Sequence, residues 1–89
     1  MPSISMFYGI IIRMYYKDNK QHKLPHIHAF FGEYEGVFDL NSGDMLVGEF
    51  PHKETKLVQT WILLRQSELL ANWQLAIEGE ELYKVEPLR

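Results

Sequence analysis

Two histidines one residue apart, His26 and His28 in the run Pro25-His26-Ile27-His28-Ala29, are the side chains of this chain best suited to chemistry. In an extended strand alternate side chains share a face, which sets the two imidazoles side by side about 7 Å apart. Paired imidazoles can act as general acid and base on a phosphodiester, with Arg13 or a loop lysine stabilising the developing charge. With a carboxylate they can ligate zinc or a similar ion. They can equally fix strand register through hydrogen bonds and ring packing, or present a face to a protein or nucleic acid. His-x-His alone does not separate these uses, and spacing fixes no third ligand. The candidate catalytic group is His26, His28, Asp39 and Arg13, and the candidate metal ligands are His26 and His28. No cofactor is implied.

Positioning these groups falls to a strand-rich first half. Ser5 to Tyr16 reads as one long strand: Met6, Tyr8, Ile10, Ile12 and Met14 alternate on one face, while Phe7, Ile11 and Tyr15 occupy the other. Gly9 marks a bulge or a close approach within it. A polar loop from Lys17 to Leu24 carries Lys17, Lys20, His22 and Lys23, a local positive charge suited to a phosphate or an acidic partner. His26 to Phe31 and Tyr34 to Leu40 form two short strands, with Gly32-Glu33 supplying the first-position glycine of a two-residue turn. Asn41-Ser42-Gly43-Asp44 is a second turn, and Met45 to Glu49 a last strand.

Asp39 enters through register. If Gly32 and Glu33 are the two loop residues, Phe31 faces Tyr34, and counting outward pairs Phe30 with Glu35, His28 with Val37 and His26 with Asp39. His26 then gains a carboxylate partner and becomes the fixed, hydrogen-bonded imidazole, leaving His28 as the group to act. A three-residue turn would place His26 opposite Phe38 instead. Whether Arg13 shares the histidine face depends on the pairing of the first strand.

After Pro51, which suits the first turn of a helix, the period changes. Leu57, Val58, Trp61, Ile62 and Leu64 recur at helical spacing, the polar run Arg65-Gln66-Ser67-Glu68 interrupts them, and Leu69, Leu70, Trp73, Ala76 and Ile77 resume. Two helices, or one bent near Ser67, end at Gly79. Trp61 and Trp73, on apolar stripes, are expected in the core or an interface. The apolar tail Leu82 to Leu88 is expected to dock. The expected architecture is α+β: an antiparallel meander of about four strands over residues 5–49, two C-terminal helices over 51–79 packed on the sheet, and a short docked tail over 80–89, all in a single domain spanning 1–89.

Composition narrows the function classes. An apolar content of 46% with 13% aromatic residues describes a folded globule. The absence of cysteine removes disulfides, thiolate metal sites and cysteine nucleophiles. No apolar run approaches a membrane span, and the first residues lack the charged start of a secretion signal, so a bacterial cytoplasm is the expected compartment. A net charge of −3 argues against a general nucleic-acid binder. At 89 residues the core is modest, and a partner surface would add to it appreciably.

Several motifs together resemble one family of small bacterial proteins: Phe7-Tyr8-Gly9-Ile10, Ile12-Arg13-Met14-Tyr15, Pro25-His26-Ile27-His28-Ala29, Phe50-Pro51, Leu57-Val58 with Trp61, Asn72-Trp73, and Val85-Glu86-Pro87-Leu88. The chain is similar over nearly its whole length to the domain of unknown function 4160. Leu24 stands where such proteins usually carry a further proline, Ile27 where they carry an aromatic residue, and Arg65 where they often have a histidine. Members are often encoded beside a domain of unknown function 2442 protein, an arrangement like a two-gene toxin–antitoxin module. The resemblance implies a cytoplasmic interaction domain that pairs with a small cognate protein, the neighbouring-gene product, with a homo-oligomer as a further expectation. No catalytic residue carries over from it. The rivals are a ribonuclease-like toxin using His26 and His28, a small metal-binding protein, and a purely structural histidine pair.

Overall fold

The computed structural model describes residues 3–15 and 24–89. Five strands form one antiparallel sheet in chain order: β1 (Ser5–Phe7), β2 (Ile10–Arg13), β3 (His26–Phe31), β4 (Tyr34–Asp39) and β5 (Met45–Glu49). Two helices follow, α1 (His52–Leu64) and α2 (Gln66–Ile77). This is the expected α+β meander with two C-terminal helices, with one strand more than the sequence pattern indicates.

The extra strand comes from the segment expected to run unbroken from Ser5 to Tyr16. It folds back at Tyr8-Gly9, both at positive φ (50° and 79°), so that Phe7 pairs with Ile10. Two successive positive-φ residues make the turn whose twist matches a tight hairpin. Tyrosine is an uncommon occupant of that position, since its Cβ crowds the following carbonyl oxygen. The reversal also re-sorts the faces. Phe7, Ile10, Ile12 and Met14 are buried in the core, while Met6, Ile11 and Arg13 lie on the opposite face.

The β3–β4 hairpin has the two-residue register: Phe31 opposite Tyr34, His28 opposite Val37, His26 opposite Asp39. Gly32, at φ 57°, supplies the turn conformation that other L-residues resist. At Gly48 (φ 105°) the β5 backbone runs so close to β4 that a Cβ would collide with the Glu35 carbonyl.

Both helices bury their apolar stripes against one face of the sheet. Val58, Trp61, Ile62 and Leu69 join Ile12, Ile27, Ala29 and Phe38 in one core. The helices separate at Arg65, whose φ/ψ of −114°/23° is not helical. Gln66 begins α2 and ties it to the sheet by donating from Nε2 to the carbonyls of Leu40 and Asn41, each at 2.9 Å. Gly79 (φ 74°) ends α2, with Glu80 N–H bonded to Leu75 O and Gly79 N–H to Ala76 O, the paired bonds of a glycine-terminated helix.

The tail docks as expected. Val85 is buried and donates its N–H to Ile4 O at 2.8 Å, extending along the free side of β1. Trp61 Nε1–H donates to Glu86 O (2.7 Å). The Asn72 amide clamps Tyr83 from both sides, accepting from its N–H (3.0 Å) and donating to its carbonyl (2.7 Å).

Candidate functional site

Strand alternation and the hairpin register place His26 and His28 on one face of β3, their ring centroids 5.4 Å apart. Their surroundings differ sharply. His26 is fully buried at the start of β3, where the helix layer meets this end of the sheet, and the Trp73 ring of α2 lies 4.9 Å from its own. Its Nδ1 is 2.7 Å from Leu24 O. A carbonyl can only accept, so Nδ1 is the donor in this contact. A buried imidazole with one nitrogen committed to backbone and a face against an indole is held in one orientation.

His28 lies on the same face, two residues closer to its middle, and is 8% exposed. The Tyr15 ring centroid is 4.7 Å away and the Phe30 ring stacks at 6.4 Å. Nδ1 points to Glu35 Oε2 at 3.4 Å, so the proton on this nitrogen faces a carboxylate that is itself half exposed. At that length the contact orients more than it binds. Arg13 pairs with His28 across β2 and β3, which answers the question the sequence left open: the arginine is on the histidine face. Its guanidinium lies over Phe30, 5.4 Å from the centroid, and its Nε is buried with no hydrogen-bond partner among the described residues.

The carboxylate expected for His26 serves another purpose. Asp39 stands opposite His26 in register, but its Oδ1 accepts the Asn41 N–H at 2.7 Å and shapes the turn after β4, while His26 Nδ1 donates to backbone. The carboxylate that does meet an imidazole is Glu35, the diagonal neighbour of His28 across β3 and β4 and within the reach such neighbours have. The register alone contained that signal. Tyr15 and Trp73 are the other contacts that pattern reading did not assign to the pair. Among the described residues no three His, Cys, Asp or Glu side chains gather closely enough to hold a metal ion, so the metal reading gains no third ligand for His26 and His28. The basic loop group of Lys17, Lys20, His22 and Lys23 lies outside the described residues.

Around His28 the face is unlike the one beneath the helices. Met6 and Val47 are 59% and 49% exposed, and Val37, though buried, lies outside the core that the helices build. Apolar side chains alternate there with Arg13, Glu35 and Glu49, a mixture suited to contact with another macromolecule rather than to enclosing a small ligand. No described helix is long and apolar enough to cross a membrane.

Neither the curated proteins nor the solved structures contain a match to this chain. Residues 9–74, which include β2 to β5, the histidine pair, α1 and most of α2, match the family model described as Domain of unknown function (DUF4160). The chain therefore belongs to the DUF4160 family.

Proposed function

We propose that this protein is a cytoplasmic interaction domain that forms a complex with a small cognate protein, as one half of a two-gene module of the toxin–antitoxin kind. The observation that carries the reading is the one-sided sheet. Helices cover one face, while the other leaves Met6 and Val47, on its two edge strands, about half exposed to either side of a centre formed by Arg13, His28 and Glu35. A partner that covers the apolar side chains on the edge strands of this face enlarges a modest core. In this reading His26 braces β3 against α2, and His28, itself buried, orients Glu35 at the centre of a mixed polar and apolar contact surface. Co-expression with the neighbouring-gene product followed by size-exclusion chromatography tests it. A single peak containing both chains is expected, and two separately eluting stable monomers contradict the proposal.

The enzymatic reading has one observation in its favour, the placement of Arg13 directly across from His28 with Glu35 on the imidazole's other side. A carboxylate-oriented imidazole can pass a proton while the guanidinium beside it stabilises the negative charge that develops in phosphodiester cleavage. Incubating purified protein with RNA tests this directly. Degradation that His28→Ala abolishes while the thermal unfolding midpoint is preserved would favour a ribonuclease; intact RNA with wild type dismisses it.

A further inference from the structure

The two edges of the sheet are treated differently. β1 is screened by the chain's own tail through the Val85 to Ile4 bond, whereas β5 ends the sheet on its other side with Leu46, Val47, Gly48 and Glu49 exposed. A terminal strand offers unpaired N–H and C=O groups to any extended segment beside it. Edges that must stay unpaired usually carry lysine, an inward charge or a bulge; β5 carries no lysine, and its irregularity against β4 falls between Val37 and Phe38, leaving Val47, Gly48 and Glu49 in regular pairing.

Charge says what kind of segment fits. From Leu24 to His52 the chain has no lysine or arginine, while Glu33, Glu35, Asp39, Asp44 and Glu49 fall in the same span, and all but Asp39 are exposed. Glu35 and Glu49 stand directly opposite each other on β4 and β5. Like charges in that position repel, and a cation brought alongside relieves the repulsion. A second copy of this chain pairing edge to edge would instead bring two such acidic strands together, and a nucleic acid would meet the same negative field.

We propose that β5 is a strand-addition site for an extended, basic segment of a partner protein. Such a segment, about five residues long to match β5, sets its main chain against the edge, its apolar side chains on the Leu46 side, and lysine or arginine on the other side toward Glu49 and Glu35. The proposal rests on the interaction reading above and names the edge and the chemistry of the partner.

The test uses the full chain and three labelled eight-residue peptides: alternating lysine and valine, the same with glutamate for lysine, and the basic peptide with two prolines that cannot complete a ladder. The basic peptide is expected to bind at least tenfold more tightly than either other, to protect the amides of residues 45–49 from hydrogen exchange, and to lose at least tenfold in affinity on Glu49→Lys, a substitution at an exposed position whose folding is checked by thermal melt. Equal binding of the proline peptide, protection confined to other residues, or no binding overturns the proposal. A dimer of the free protein with β5 already protected also overturns it, by making a second copy the occupant. A co-eluting complex with the neighbouring-gene product whose β5 amides stay unprotected removes this inference and leaves the interaction reading standing. Separate elution of the two chains together with tight binding of the basic peptide does the reverse.

Discussion

The covered and open faces of the sheet are built from the same five strands and differ in nearly everything else. Beneath the helices Ile12, Ile27 and Phe38 are completely buried and meet Trp61 and Ile62, so each apolar side chain is answered by another. On the opposite side Met6 and Val47 remain about half exposed, and Arg13, Glu35 and Glu49 are interleaved with them. One face carries the stability of the fold, and the other is the surface proposed to meet a partner. The two histidines share the second face, yet their surroundings differ although only Ile27 separates them. His26 is sealed against Trp73 and bonded to backbone, and so belongs to the packed part of the molecule; His28, among Tyr15, Phe30 and Glu35, belongs to the open face.

Substitutions can break or sharpen this division. The largest loss of stability is expected for Trp61→Ala, about 3–5 kcal/mol, because it empties a fully buried site against Phe7 and removes the bond to Glu86; denaturant titration measures it. His26→Ala should cost about 2–3 kcal/mol by the same cavity logic, without altering the exposed surface. Asn72→Ala leaves both Tyr83 backbone groups without their clamp, at about 1–3 kcal/mol, and should release residues 82–86 to faster hydrogen exchange while β3 and β4 keep their protection. Val47→Lys, on the open face, should change stability by no more than about 0.5 kcal/mol yet weaken complex formation, because it sets a positive charge against a basic partner segment. If it unfolds the protein as severely as Trp61→Ala, the faces are not divided as described.

Much of this arrangement was legible before any coordinates. Gly32-Glu33 set the hairpin and thereby the pairing of every β3 residue, the interruption at Arg65 separated two helical stripes, and Gly79 marked their end. What escaped was conformational or diagonal. The Tyr8-Gly9 turn was hidden because tyrosine does not advertise positive φ, and because apolar residues on both sides of the reversal imitate one continuous strand. The partner of the histidine pair was assigned to the residue directly opposite, Asp39, which its own turn had already claimed; a long Glu35 side chain reached His28 from the diagonal position. Neither the Asn72 clamp nor the Trp73 contact with His26 has a periodic signature, since both depend on how α2 is placed against the tail and the start of β3.

The central claim, that the open face and its β5 edge bind a partner while the helix-covered face holds the fold, is tested most directly by co-expressing the neighbouring-gene product with wild-type protein and with the Val47→Lys variant, then comparing elution and thermal midpoints. The account predicts one shared peak for wild type, separate peaks for the variant, and closely similar midpoints for the two isolated proteins. Separate peaks for wild type, or a variant that still co-elutes with its partner, would contradict it.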